Sequence, residues 1–127
     1  MKDGRKMVSI IIMVLAITLM LSFAQVNIKK GLNNIGKLEI KEIFSSKLPS
    51  IISNSNIQIG MVLYAIATWL WLVALSKSEL SFVYPLVALS YVFGVLFAKI
   101  YFNETITWIR WIGIFVIVLG VFLITKS

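Results

Sequence analysis

The chain has 127 residues, of which 60% are hydrophobic and 13% are charged, with a formal net charge of +7 and neither cysteine nor histidine. This composition excludes disulfides, thiol catalysis and the commonest soft metal ligands, so no metal and no cofactor are expected. A charge of +7 would suggest nucleic acid in a water-soluble chain, but the basic residues here cluster at the ends of apolar segments, where they meet lipid phosphates. A membrane lipid is therefore the expected partner, and nucleic acid is not.

Four apolar segments are long enough to cross a bilayer, whose hydrocarbon core needs about 20 helical residues. None of them contains an acidic residue, and they cover about residues 7–28, 58–76, 80–100 and 106–125. The one substantial stretch outside them, about residues 29–57, is too short for a soluble catalytic domain. The sequence predicts an all-α integral membrane protein with four transmembrane helices and a single membrane domain over residues 1–127.

The first span is predicted to be a retained helix with one polar stripe. Ser22-Phe23-Ala24 resembles a signal-peptidase site, but apolar residues continue beyond it and the three later spans need a partner helix. Thr18, Ser22, Gln25 and Lys29 follow at intervals of four, three and four residues, which places them on one helix face. This stripe ends in a positive charge.

The segment over residues 37–56 is polar overall, but its apolar residues recur at intervals of three and four, as in an amphipathic helix. Such a helix would lie along the membrane surface, and Pro49 would either open a second short helix or break the first. A plain solvated loop is the alternative. Either way, Ser53 to Asn56 is expected to form the turn into the second span.

Polar residues within the second and third spans are expected to face the interior of the bundle, because an unsatisfied polar group in hydrocarbon costs several kcal/mol. Pro85 removes a backbone donor from the third span and should weaken that helix. Ser90, Gly94 and Ala98 mark a second face of the same span. The predicted substrate-binding residues of the first three spans are Ser22, Gln25, Lys29, Tyr64, Thr68, Trp71, Tyr84 and Tyr91.

The fourth span is nearly featureless, except that Gly113, Ile117 and Gly120 share one face. Small residues let helix backbones approach closely, so this face predicts a packing surface. This surface is either a dimer interface or a site of helix packing within the monomer. Glu104, just before this span, is expected to cap its helix, where a carboxylate favours the dipole.

Several short motifs in order resemble the drug/metabolite transporter superfamily. They are Leu80-Ser81-Phe82-Val83-Tyr84-Pro85-Leu86, Ala88-Leu89-Ser90-Tyr91-Val92, Phe102-Asn103-Glu104, Trp111-Ile112-Gly113-Ile114 and Leu119-Gly120-Val121, together with Gln25 followed by Lys29-Lys30-Gly31. The resemblance covers nearly all of the chain outside residues 37–56. Four-helix members of this superfamily include the dimeric small multidrug resistance proteins and small EamA-like proteins, among them flippase subunits for aminoarabinose-phosphoundecaprenol.

The choice between these branches depends on one carboxylate. The multidrug branch carries a glutamate in its first helix about two turns before a lysine, where protons and cationic drugs compete for it. Two turns before Lys29 and Lys30, this chain has Leu21 and Ser22, and its five acidic residues all lie at or beyond span ends. A buried cation without a counter-ion is strongly disfavoured, so the lipid-flippase branch fits better.

The resemblance then implies a dimeric flippase for a polyprenyl-phosphate-linked sugar or amino sugar in the cytoplasmic membrane of a bacterium, with a homologous subunit as the alternative to a second copy. In it, Lys29 and Lys30 would hold the phosphate while Gln25 and the tyrosines bond the sugar. The alternative is that both lysines only extend to lipid head groups, as lysines at helix ends commonly do. Two alternatives remain: an exporter of small polar metabolites or cations, and a non-transporting subunit that stabilises a partner. An enzyme is not expected, because no nucleophile and base or paired carboxylates occur together.

Overall fold

The computed structural model describes residues 2–127. Within this range seven helices follow one another: α1 (Lys2–Ile35), α2 (Ile40–Ile43), α3 (Leu48–Ser53), α4 (Ser55–Lys77), α5 (Leu80–Leu86), α6 (Leu89–Phe102) and α7 (Trp108–Lys126). Four stretches of helix are long and apolar enough to cross a membrane, namely α1, α4, α5 together with α6, and α7. The prediction of an all-α protein with four membrane-spanning helices is confirmed.

Helix α1 is the centre of the bundle. It packs along α4 and also contacts α5 and α6, whereas α7 packs on α5 and α6 at the periphery. Val14 and Ile17 of α1 are each only 1% exposed and lie at the middle of the buried core. The other buried members of this core are Ile10, Ala67, Ala74, Val83, Leu86 and Val121.

Two glycines allow α1 and α4 to approach closely. A Cβ atom on Gly60 of α4 would lie 2.5 Å from Cγ1 of Ile28 and 2.8 Å from the backbone oxygen of Ala24, both on α1. A Cβ on Gly31 of α1 would meet the side chains of Asn54 and Ile57, each at 2.6 Å. Lipid tails are as apolar as the side chains, so there is no hydrophobic drive between helices in a membrane. Helices associate there through close van der Waals packing, which small residues permit.

The third span is interrupted where Pro85 weakens it. Helix α5 ends at Leu86 and α6 begins at Leu89. Across this break the backbone amides donate to carbonyls three residues earlier, at N···O distances of 2.8–3.1 Å, from Val87, Ala88, Ser90 and Tyr91. A proline has no N–H for the carbonyl one turn before it, and the tighter turns keep the neighbouring amides bonded, as the bilayer requires.

The segment between the first two spans is helical in two short pieces, α2 and α3, with Pro49 in the first turn of α3. The helical interpretation of this segment is therefore confirmed in preference to a plain solvated loop. The position of the segment at the membrane interface remains a prediction. Ile40 and Phe44 are about 80% exposed (81% and 80%), so the protein itself does not cover the apolar side of this segment.

Glu42 ties this connector together. Its carboxylate accepts a hydrogen bond from the backbone N–H of Glu39 at 3.1 Å and forms an ion pair with Lys47 at 3.2 Å. The backbone hydrogen bond first, and then Lys47, hold the pKa of Glu42 below its ordinary value. The arrangement is strongest while that carboxylate is ionised.

The second and fourth membrane helices each begin at a side-chain cap. Helix α4 begins at Ser55, where the side chain of Asn54 accepts a hydrogen bond from the N–H of Ile57 at 3.2 Å. Helix α7 is capped by Thr107, whose hydroxyl accepts from the N–H of Arg110 at 3.3 Å. The predicted cap by Glu104 is wrong, because the N–H of Glu104 still bonds to Ala98 of α6.

Candidate functional site

A cavity of about 490 Å³ lies among α1, α4 and α6 and is called here the central cavity. Helix α1 forms one wall, since it packs along both of the other helices. The lining residues are Leu21, Ser22, Gln25, Tyr64, Val87, Ser90, Tyr91, Gly94 and Val95. A cavity with a few polar groups on apolar walls is the usual form of a small-molecule site.

Hydrogen bonds made by Gln25 and Ser22 hold the polar wall of the central cavity. The side-chain amide of Gln25 donates to the hydroxyl of Tyr64, which joins α1 to α4. The hydroxyl of Ser22 bonds to the carbonyl of Thr18 at 2.8 Å and lies 3.3 Å from the carbonyl of Ser90, next to the break in the third span. A glutamine amide and a tyrosine hydroxyl each retain further hydrogen-bonding capacity after forming one such bond.

The predicted polar stripe of α1 does not face one common space. Thr18 is fully buried and its hydroxyl bonds to the carbonyl of Leu15 at 2.8 Å, within its own helix. Ser22 and Gln25 line the central cavity, whereas Lys29 lines a separate pocket of about 380 Å³ with Lys37. The stripe is continuous on α1, but the elements packed around that helix change along its length.

The adjacent lysines Lys29 and Lys30 have different surroundings. The ammonium of Lys30 lies 4.8 Å from the ring centroid of Tyr101, a distance suited to a cation–π contact. That ring belongs to an aromatic cluster with Phe23 and Phe97 between α1 and α6. Lys29 instead shares its pocket with Asn33, Gly36 and Lys37.

Of the eight predicted substrate-binding residues, Ser22, Gln25, Tyr64 and Tyr91 come together in the central cavity. Thr68 bonds to the carbonyl of Tyr64 at 2.8 Å within α4, and Trp71 packs against the core. Tyr84 is 67% exposed and lies about two turns before Tyr91, on the other side of the break. Binding by any of these residues remains a prediction.

Five residues of the central cavity were not among the predicted binding residues, namely Leu21, Val87, Ser90, Gly94 and Val95. Two of them had been marked by their spacing: Ser90, whose carbonyl meets Ser22, and Gly94, one turn further along α6. Their spacing had marked a second face of the third span, and that face turns toward α1. Tyr84 and Tyr91 would share a face in an unbroken helix, but the tighter turns between them change the rotation per residue.

Within the monomer, only part of the predicted packing face of the fourth span contacts other helices. Ile117 is partly buried against the core. A Cβ atom on Gly113 or Gly120 would have no protein atom within 4 Å among the described residues. The monomer thus uses Gly31 and Gly60 for close packing but leaves the α7 glycines free, and their role in a dimer remains a prediction.

A comparison with known protein families matches residues 7–126 to the EamA-like transporter family. The chain belongs to that family. The predicted superfamily resemblance is confirmed, and the match includes all of the residues that line the central cavity. This EamA-like protein is a multi-pass membrane transporter.

Three curated relatives of this EamA-like transporter share the name probable 4-amino-4-deoxy-L-arabinose-phosphoundecaprenol flippase subunit ArnF. The relative from Proteus mirabilis is 34% identical over 118 residues, which cover 89% of each chain. The relative from Shewanella sediminis is 30% identical over 92% of this chain and 88% of its own. The relative from Photorhabdus laumondii is 32% identical over 85% of this chain and 90% of its own. No solved structure matches the chain.

Proposed function

We propose that this transporter is a subunit of a flippase that moves a polyprenyl-phosphate-linked amino sugar across the cytoplasmic membrane of a bacterium. The observation that carries the proposal is the central cavity, because Ser22, Gln25, Tyr64 and Tyr91 line one space within the spans. The names of the relatives supply the substrate class. Because the chain of a lipid-linked sugar can stay in the bilayer, only the sugar needs such a polar space.

The sugar head group is proposed to bond to the Gln25–Tyr64 pair. Hydroxyl and amino groups of a sugar match an amide and a phenol, each of which both donates and accepts. Tyr91 is 66% exposed at the rim of the central cavity, between the interior and the bilayer. The lipid chain stays in the bilayer while the head group passes along α1.

The phosphate is proposed to contact Lys29. That lysine lies one turn beyond Gln25, about 6 Å along the helix axis, and Lys37 lines the same pocket. Two ammonium groups suit a phosphate, because its oxygens accept hydrogen bonds from several directions and each ammonium is a compact charge with rotatable donors. The sugar and the phosphate would then lie beside successive turns of α1.

The transporter is proposed to assemble through α7 with a second copy or with a homologous four-helix subunit. Leucine at both Gly113 and Gly120 should weaken that association by about tenfold, equivalent to about 1.4 kcal/mol, because two large side chains would hold the helix backbones apart. Resonance energy transfer between labelled subunits, measured in liposomes across lipid-to-protein ratios, gives the affinity. Phe115→Leu on the opposite side of α7 is the control, and equal transfer in all three proteins would contradict this interface.

The proposed function is tested by reconstitution. Proteoliposomes containing this chain, alone or with a homologous subunit, should translocate a polyprenyl-phosphate aminoarabinose faster than empty vesicles. A polyprenyl phosphate without the sugar should move more slowly, because it lacks the groups that bond to Gln25 and Tyr64. No acceleration with either subunit composition would contradict the proposal.

A non-transporting subunit is the second candidate function. The hydrogen bond between Gln25 and Tyr64 joins two helices, as a structural seam within a membrane bundle also would. Replacing Gln25 by leucine and Lys29 by methionine separates the two functions. A transporter would still bind its partner subunit and lose flux, whereas a stabilising subunit would lose partner binding.

A further inference from the structure

A basic pocket lies at the end of the bundle opposite to Lys29. It has a volume of about 510 Å³ and is lined by Arg5, Lys6, Ser9 and Ile10 of α1 together with Lys77 of α4. These residues meet because α4 crosses back and ends beside the first turns of α1. This N-terminal pocket is separated from Lys29 by most of the length of α1, roughly 30 Å.

Within residues 2–127, no carboxylate lines the N-terminal pocket, and neither Arg5 nor Lys77 has a carboxylate oxygen within 4 Å. Lys6 differs, because it also borders a neighbouring pocket that contains Asp3 and Glu79. Arg5 and Lys77 are therefore the two cations best placed to bind an external anion.

An apolar groove continues from the N-terminal pocket along α1. It is lined by Gly4, Arg5, Val8, Ser9 and Ile12, and so shares Arg5 and Ser9 with the pocket. Val8 is 55% exposed and Ile12 is 61% exposed, so neither is covered by another helix. The combined surface has a cationic end and an apolar wall.

We propose that the N-terminal pocket binds the phosphate head group of a membrane lipid whose apolar chain lies in the groove beside Val8 and Ile12. The Arg5 guanidinium suits two phosphate oxygens at once, Lys77 adds a point charge, and the Ser9 hydroxyl can donate to a third oxygen. Ile10, which is 8% exposed, forms the apolar floor beneath them. This inference does not rest on the proposed function, because the pocket is distinct from the central cavity.

The continuous groove favours a lipid over free phosphate. A free anion would use only the cations, whereas a lipid would also cover the exposed side chains of Val8 and Ile12. A bilayer phospholipid and a polyprenyl phosphate both combine a phosphate with an apolar chain. The experiment therefore includes both lipids.

Binding is measured on the purified full-length chain in neutral detergent, by native mass spectrometry with added lipid. The probes are phosphatidylglycerol, a polyprenyl phosphate, diacylglycerol and inorganic phosphate. At least one phosphate-bearing lipid should bind far more tightly than diacylglycerol or inorganic phosphate. Arg5→Gln with Lys77→Gln should weaken that binding by about 30-fold, since each cation near a lipid phosphate contributes about a factor of five.

The matched control is Arg110→Gln with Lys126→Gln, which removes the same two charge types elsewhere. Its lipid affinity should stay within about twofold of the original chain, since neither residue lines the pocket. Tighter binding of phosphatidylglycerol identifies a bilayer lipid, and tighter binding of the polyprenyl phosphate identifies a carrier lipid. The proposal is overturned by equal losses in the two double variants, by no loss in the pocket variant, or by inorganic phosphate binding as tightly as the lipids.

Because this readout is binding and not flux, its failure would leave the proposed flippase function untouched. Conversely, a chain that moves no lipid-linked sugar could still show the charge-dependent lipid binding. The two proposals therefore fail separately.

Discussion

Replacing Gln25 by leucine is expected to lower the rate of head-group translocation by about tenfold. The substitution removes the amide that bonds to Tyr64 and leaves that hydroxyl without its partner in the central cavity. An uncompensated polar group costs about 1–3 kcal/mol, and 1.4 kcal/mol corresponds to a factor of ten. Flux is measured in proteoliposomes with the polyprenyl-phosphate aminoarabinose.

Gln58→Leu is the matched control for this experiment. Gln58 also carries an amide on a membrane helix, but it donates to the carbonyl of Ile52 at 2.8 Å, outside the central cavity. Its loss should leave flux nearly unchanged. The assignment of Gln25 to the head-group site would be wrong if both variants lost flux equally, or if Gln25→Leu transported at the original rate.

Tyr64→Phe shows whether the two residues act together. If the amide and the hydroxyl bind one head group as a pair, the double variant should lose less flux than the product of the single losses, because either single change already breaks the pair. Independent contacts would give multiplicative losses. This measurement extends the Gln25 prediction and uses the same assay.

The second large effect is expected at Gly60, where alanine should destabilise the bundle by about 1–3 kcal/mol. The added methyl group would lie 2.8 Å from the backbone oxygen of Ala24, which cannot turn aside as a side chain can. Alanine normally favours a helix over glycine by about 0.8–1.0 kcal/mol, so a net loss requires steric conflict with α1. Unfolding in mixed micelles measures the change.

Two other glycines serve as comparisons for Gly60. Gly94→Ala on α6 meets no protein atom of residues 2–127 within 4 Å and should be neutral or stabilising. Gly31→Ala should give an intermediate loss, since its contacts are the side chains of Asn54 and Ile57, which can move. If Gly60→Ala were as stable as Gly94→Ala, α1 and α4 would not pack as closely as described here.

The membrane class and the four spans were predictable, because both follow from local sequence. A bilayer of fixed thickness demands about 20 apolar residues per crossing, and that requirement can be counted along the chain. The interruption near Pro85 was also foreseeable, since proline lacks the amide that an unbroken helix needs. The family resemblance followed from ordered motifs that are local as well.

Helix caps were less predictable. Glu104 had the right charge for the start of the fourth span, but Thr107 caps that helix instead. Asn103 ends α6 in a left-handed conformation with φ of 55°, and the N–H of Glu104 then bonds back to Ala98. Where one helix ends depends on such backbone hydrogen bonds, which charge alone does not predict.

The sequence by itself determined which residues share a face of each helix, as with Ser22 and Gln25, and which residues lie at the same end of the bundle. Only the tertiary structure decided which faces meet. It joined Gln25 to Tyr64, placed Lys29 in another pocket and brought Arg5 beside Lys77. The physical reason is that periodicity orients a side chain around its own helix, whereas its neighbours depend on how closely the helices approach, as at Gly60, and on where the third span is interrupted.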